Sequence, residues 1–230
     1  MRYDVSKLEK SLGVVFSNKD MLLQAVTHRS YLNEHPEFKL GHNERLEFLG
    51  DAVLELVVTE YLYLNYENPE GELTNWRASL VNARTLADIC KGLTIEPYLL
   101  LSRGEQKDVG KARMYILANT MEALIGAMYI DLGWDVVKKF IIENVVSILP
   151  NILENKLYLD PKSKFQEYSQ EKVSITPSYE VLNEEGPDHA KTFTVGVFLE
   201  DELVAKGSGT SKQEAQIDAA EKALKAKGWE

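Results

Sequence analysis

Near residue 155 the hydrophobic period of this 230-residue chain changes, and that change constrains its fold more than any other feature. Upstream, apolar residues recur at spacings of three and four, as with Leu80, Val81, Leu86 and Ile89 in "LTNWRASLVNARTLADICKGL". Downstream, "KTFTVGVFLE" alternates and puts Phe193, Val195, Val197 and Leu199 on one face. Helical spacing and strand alternation cannot share one element, so two domains are expected. The reading is α+β multidomain: an all-α domain over 1–155, a linker over 156–160, and an α-β-β-β-α domain over 161–230.

In the first domain, helices are expected at "DVSKLEKSLG", at "FSNKDMLLQAVTH" with Ser17 or Asn18 as N-cap, and over residues 43–65. "NPEG" at 68–71 signals a turn, after which "LTNWRASLVNARTLADICKGL" continues at helical spacing. "SRGEQKDVGKAR" reads as a loop, and "MYILANTMEALIGAMYIDLG" as a buried helix with Gly133 near its end. "WDVVKKFIIENVVSIL" reads as one more helix, stopped by Pro150. In the second domain "KSKFQEYSQEK" is helical, and "SYEVLNEEG" and "DELVAKGSG" flank the alternating strand. The closing helix, "SKQEAQIDAAEKALKAKG", has Ala215, Ala219, Ala220, Ala223 and Leu224 on its apolar side.

The single cysteine, Cys90, excludes an internal disulfide framework and reads as a small buried hydrophobe in a reducing compartment. No apolar run approaches the roughly 18 residues of a membrane span, and "MRYDVSKLEKSLG" lacks the core of a signal peptide. A cytoplasmic protein without membrane partners is expected. The net charge of −10 argues against loose electrostatic binding to nucleic acid. Such a partner would need a local patch, shape recognition or bound cations.

"HNERLEFLGDAVL" places Glu44, Glu47 and Asp51 on one face of an apolar helix. Carboxylates that close repel one another, and Mg²⁺, which takes oxygen ligands and keeps several waters, removes the conflict. A solvated acidic stripe, offset by Arg45 and continued by Glu55, is the competing reading. A second acid weighs against the stripe. Glu122 lies in "ILANTMEALIGAMYI", a segment otherwise nearly empty of charge, with Asn119 three residues earlier on the same face. An isolated carboxylate there is costly without a partner.

"NERLEFLGDAVL" resembles the signature of the ribonuclease III family. "LGVVFSNKDMLLQAVTHRSYLNE", "TNWRASLVNARTLA" and "ILANTMEALIGAMYIDLG" resemble its N-terminal segment, central helix and second acidic motif. The C-terminal domain resembles the double-stranded RNA-binding domain of bacterial members, and the resemblance runs over nearly all of 5–228. It implies an all-α endonuclease domain followed by the RNA-binding domain, in a homodimeric, Mg²⁺-dependent enzyme with Mn²⁺ as a possible substitute. Such an enzyme cuts both strands of double-stranded RNA, including ribosomal and other structured precursors. Products carry 5′-phosphates, 3′-hydroxyls and short 3′ overhangs. No organic cofactor is implied.

Matched residue by residue, the family's catalytic acids fall on Glu44, Glu47, Asp51 and Glu122, with a supporting carboxylate at Glu70. Glu47, Asp51, Asn119 and Glu122 form the implied metal set. A bound divalent ion lowers the pKa of its water and neutralises charge on the phosphoryl oxygens. Asn119 departs from the pattern, which has aspartate there, and should weaken the hold on Mg²⁺. It opens the alternative of a weakened or inactive double-stranded RNA-binding dimer. Phe48 is either a dimer-interface residue that enters a socket on the partner or an ordinary core phenylalanine. His28 and His42 read as structural or phosphate-proximal, and Arg77 as a phosphate contact or a salt bridge.

In the RNA-binding domain, Gln166, Glu167 and Gln170 are implied to face 2′-hydroxyls in one minor groove, with His189 entering the next. Ser211 and Glu214 are spaced as a capping box, which leaves Lys212 at a positive helix terminus suited to phosphate. Gln213 replaces a lysine common in the family. Residues 161–230 hold nine lysines, no arginine and 13 acids, so modest RNA affinity per domain is expected, raised by the dimer's two copies.

Overall fold

A computed structural model describes residues 5–187 and 191–229, which form two compact units divided between Glu154 and Asn155. The described part of the first unit is helical: α1 (Ser6–Leu12), α2 (Lys19–Ala25), α3 (Arg29–Glu34), α4 (Glu44–Asn65), α5 (Glu70–Val81), α6 (Ala83–Gly92), α7 (Lys111–Leu132), α8 (Trp134–Asn144) and α9 (Leu149–Glu154). Helix α7 runs through the middle. Its Leu117, Met121, Leu124, Ile125 and Met128 are fully buried, and it packs on α2, α4, α6 and α8. A helix apolar on nearly every side needs such an interior position.

The local differences from the sequence reading have local causes. Asn18 is the N-cap of α2, its side chain accepting from the amides of Asp20 and Met21. Helix α3 is too short to show a period; His28 caps it by accepting from Ser30 N at 3.3 Å. The segment around "RASLVNARTL" is two helices, because Asn82 is extended between them. Its Oδ1 caps α6 through Thr85 N at 3.0 Å, while its Nδ2 donates to the Ser79 carbonyl at 2.9 Å. Pro150 does not stop a helix. Helix α8 ends at Asn144, and Pro150 lies in the first turn of α9, where its missing N–H costs nothing.

The second unit runs α10 (Pro161–Val173), β1 (Ser178–Glu185), β2 (Thr192–Leu199), β3 (Glu202–Gly209) and α11 (Lys212–Lys227), the α-β-β-β-α order expected. The strands pair antiparallel in the order β1-β2-β3. Val197 and Leu199 meet Phe165 of α10 and Ala219, Ala220, Ala223 and Leu224 of α11. Phe193, the second residue of β2, is half-buried instead of joining that core. The alanine face of α11 has a geometric cause. A Cβ on Gly207 of β3 would stand 2.1 Å from Ala219 N, so helix and strand touch through their backbones.

Candidate active site

Helix α4 is fixed at its start by Asn43, whose amide N–H donates to the Thr27 carbonyl at 2.9 Å and whose Nδ2 donates to the Ala25 carbonyl at 3.3 Å. The side chain is spent on anchoring and makes no cap bond. Glu44 and Glu47 then occupy the first turn, where the helix dipole favours negative charge.

What brings the acids together is a close crossing of α4 and α7. A Cβ on Gly50 would stand 1.8 Å from the Glu122 carbonyl oxygen, and one on Gly126 would stand 2.2 Å from that of Leu46. The two backbones are in contact, which only glycine permits. Gly50 lies between Glu47 and Asp51, and Gly126 lies one turn after Glu122, so the contact brings the three side chains within reach of one another's charge. Sequence reasoning did not single out either glycine. Their position inside long helices was the available signal, since an interior glycine costs stability unless packing requires it.

The electrostatics record that proximity. Burial pushes the Glu122 carboxyl up to about 7, with the charges of Asp51 and Glu47 adding to the rise. Glu47 is raised by burial, then by Glu44 and Asp51, while a hydrogen bond from Asn119 opposes the rise. The ion pairs of α4 fall on its other acids: Glu44 with Arg29 at 3.5 Å, Glu55 with Arg77 at 3.0 Å, and Glu60 with Lys138. Arg77 thus has an ion-pair partner within its own unit, and Glu55 belongs to that pair and not to the cluster.

Among the described residues, no three His, Cys, Asp or Glu side chains stand close enough to enclose an ion as they are. The set nevertheless fits a hard divalent cation. Its donors are oxygens, one comes from the amide of Asn119, and Mg²⁺ fills much of its shell with water. The raised Glu122 and Glu47 carboxyls are the charge conflict that such an ion removes.

Glu70 begins α5 and lines a groove of about 770 Å³ with Thr59, Tyr63 and Arg77. That groove meets the far part of α4, roughly 20 Å from Glu47 at about 1.5 Å per helical residue. Within one chain Glu70 therefore does not join the other acids. Phe48 is 82% exposed, which rules out the core reading. His28, lowered below its ordinary value chiefly by burial, serves as the α3 cap.

In the second unit Gln166, Glu167 and Gln170 are exposed on α10 and line a shallow hollow with Ser163. Glu167 pairs with Lys156 at 3.5 Å, and Gln170 Oε1 accepts from Thr176 Oγ1 at 3.4 Å. Lys212 opens α11, with Ser211 Oγ accepting from Glu214 N at 3.1 Å. The Glu214 carboxylate reaches one residue further back than a capping box requires, accepting from Thr210 N at 2.9 Å. Lys212 pairs with Glu184 at 3.3 Å, a partner the sequence reading missed. His189 lies outside the described residues.

Comparison with known proteins places these features in context. Residues 18–149 match a family profile described as Ribonuclease-III-like, and residues 161–227 match the double-stranded RNA binding motif. The chain is 44% identical over 223 residues to Ribonuclease 3 of Enterococcus faecalis, covering 96% of each protein. It is 47% identical over 219 residues to Ribonuclease 3 of Carboxydothermus hydrogenoformans, covering 94% of this chain and 93% of the relative. Among solved structures, the nuclease domain of Campylobacter jejuni ribonuclease III matches at 38% identity and a TM-score of 0.57. That match covers 64% of this chain and 99% of the neighbour, which is described as having flexibility in a region involved in dimer formation.

Proposed function

The chain belongs to the ribonuclease III family of endoribonucleases, and from that premise we propose that it cuts both strands of double-stranded RNA in a Mg²⁺-dependent reaction. The observation that carries the reading is the α4–α7 crossing, which brings Glu47, Asp51, Glu122 and Asn119 within one another's electrostatic influence. Glu47, Asp51, Glu122 and the Asn119 amide oxygen would hold the cation. When bound, the ion supplies an activated water and neutralises charge on the phosphoryl oxygens. Mn²⁺ is a possible substitute.

Each residue then has a defined task. Glu122, half-buried and raised to about 7 by burial, would give up its proton in holding the cation. Glu47 and Asp51 extend from α4 to complete the ligand set. Glu44, more exposed and close to Arg29 and His42, orients water at the rim. Asn119 holds Glu47 in place through its amide N–H and offers its oxygen to the ion.

The exposed Phe48 suits a homodimer contact, with each subunit cutting one strand. Glu70 stands apart from the acids of its own chain, so a role at the phosphate would have to be played across that dimer. Residues 1–155 form the endonuclease domain, 156–160 the linker, and 161–230 the RNA-binding domain. Gln166, Glu167, Gln170, His189 and Lys212 contact the duplex by shape and phosphate position. Products carry 5′-phosphates and 3′-hydroxyls with short 3′ overhangs. The substrates are structured precursors such as ribosomal RNA in the cytoplasm, a reducing compartment consistent with the buried Cys90. The relatives do not favour the binding-only alternative raised by Asn119.

The test is cleavage of a long RNA duplex by the full chain as Mg²⁺ is added. Duplex-specific cutting with phosphorylated 5′ ends is expected. Binding without cleavage at every Mg²⁺ or Mn²⁺ concentration would overturn the reading.

A further inference from the structure

The unit that matches the RNA-binding motif is acidic, with 13 acids against nine lysines over residues 161–230. One of those acids stands directly in the path of the basic side chains. Glu184, near the end of β1, has its Oε2 3.2 Å from Lys191 Nζ and its Oε1 3.3 Å from Lys212 Nζ. The strand register puts Glu184 opposite Phe193, and both ammonium groups lie over that ring, 6.0 and 5.6 Å from its centroid. The four side chains make one cluster: a carboxylate held between two cations above an aromatic floor.

The cluster is open to solvent, with side-chain exposures of 36% for Lys191, 35% for Glu184 and 59% for Lys212. Lys212 is the first residue of α11, where unbonded amide N–H groups and the helix dipole also attract anions. Glu184 therefore holds its carboxylate where an incoming phosphate would be drawn.

We propose that Glu184 acts as an internal phosphate substitute, occupying Lys191 and Lys212 in the free chain and lowering the affinity of this face for duplex RNA until a backbone phosphate displaces it. The proposal rests on the RNA-binding role assigned to Lys212 above. The exchange is physically easy, because exposed ion pairs are weak and both lysines can swing on long stems. It also has a thermodynamic signature. A lysine that meets phosphate releases counterions from the RNA, but a carboxylate freed in the same step gathers cations, so net ion release is reduced. Hydrogen bonds from Lys191 and Lys212 hold the Glu184 carboxyl below its ordinary range, so the competing charge persists at neutral pH.

The experiment measures binding of the full chain to a long RNA duplex, with a chelator present to prevent cleavage, across a series of salt concentrations. Glu184→Gln keeps the size of the side chain and removes its charge. The variant is expected to bind roughly three- to ten-fold tighter at moderate salt, with a log K against log salt slope steeper by up to about one. Lys212→Gln should cost little in the parent chain, where its charge is already engaged, and several-fold more in the Glu184→Gln background.

Unchanged affinity and slope in Glu184→Gln would overturn the proposal. Weaker binding would overturn it too, by making Glu184 a positioning residue for the lysines. If the parent chain does not bind the duplex at any salt, the RNA-binding reading falls and takes this proposal with it. That result is distinct from a parent that binds and a variant that binds equally.

Discussion

At the α4–α7 crossing, burial and then the charges of Asp51 and Glu47 raise the Glu122 carboxyl. At the β1–α11 face of the second unit, Glu184 stands between Lys191 and Lys212, each within 3.3 Å. The first region brings like charges near one another through a close contact of two helix backbones. The second pairs opposite charges on flexible stems that separate easily. On the proposed function a cation, in place of a proton, would relieve the first, whereas a polyanion would have to compete with what the second already holds.

The largest effect expected on this contrast comes from Glu122→Gln. Losing one carboxylate from the crossing should lower cleavage by roughly 10³-fold or more, several kcal/mol of transition-state stabilisation. Duplex binding in chelator should stay within about two-fold, because it rests on shape and phosphate contacts elsewhere. Quantitative cleavage alongside a binding assay separates the two. Cleavage at the parent rate would remove Glu122 from the mechanism.

Gly50→Ala attacks the contact that holds the acids together. The added methyl would stand 1.8 Å from the Glu122 carbonyl oxygen, so α4 and α7 must move apart. A loss of about 3 kcal/mol or more in unfolding free energy is expected, with cleavage falling further than stability alone explains. Denaturant melts give the first quantity. An unchanged midpoint would mean that the crossing is not close.

The metal-free protein should also carry the charge conflict into its pH dependence. The folded-state carboxyl of Glu122 lies at about 7, above its ordinary value of 4.5, so the folded chain binds this proton more tightly than the unfolded chain. Its contribution to stability is complete below about pH 4.5 and is lost as pH rises through about 7. Thermal midpoints in chelator between those limits should fall with rising pH, and less so for Glu122→Gln. Equal slopes in the two proteins would contradict the assignment.

Asn119→Asp is the mildest change. The Asn119 amide now lowers the Glu47 carboxyl against the rise from burial, and aspartate would replace it with a further negative charge. The Mg²⁺ concentration for half-maximal cleavage should drop several-fold, while the metal-free midpoint falls by the equivalent of about 1 kcal/mol. A higher Mg²⁺ requirement would show that the amide serves the site better than a carboxylate.

The sequence carried the long elements because their periods are strong. Helices α4 and α7 and strand β2 each repeat their pattern for eight residues or more. Breaks that depend on one residue were less legible. Asn82 splits a helix by capping both sides, and Pro150 opens one where its type suggested a stop. The acids could be found as charges in apolar helices, but Gly50 and Gly126, which make them neighbours, act through backbones that no pattern displays. Glu184 was hidden for the opposite reason: in a stretch of exposed acids, only strand register shows which one faces two lysines.

On the proposed function, the crossing of α4 and α7 holds a divalent cation in the folded chain. The direct measurement is the thermal midpoint of the full-length protein as Mg²⁺ is titrated, without RNA, in parallel with Glu122→Gln. A ligand that binds only the folded state raises stability by about 2.7 kcal/mol at a hundred times its dissociation constant. A saturable rise is expected in the parent, reduced or absent in Glu122→Gln. Equal shifts in the two proteins, or no shift in either, would contradict it.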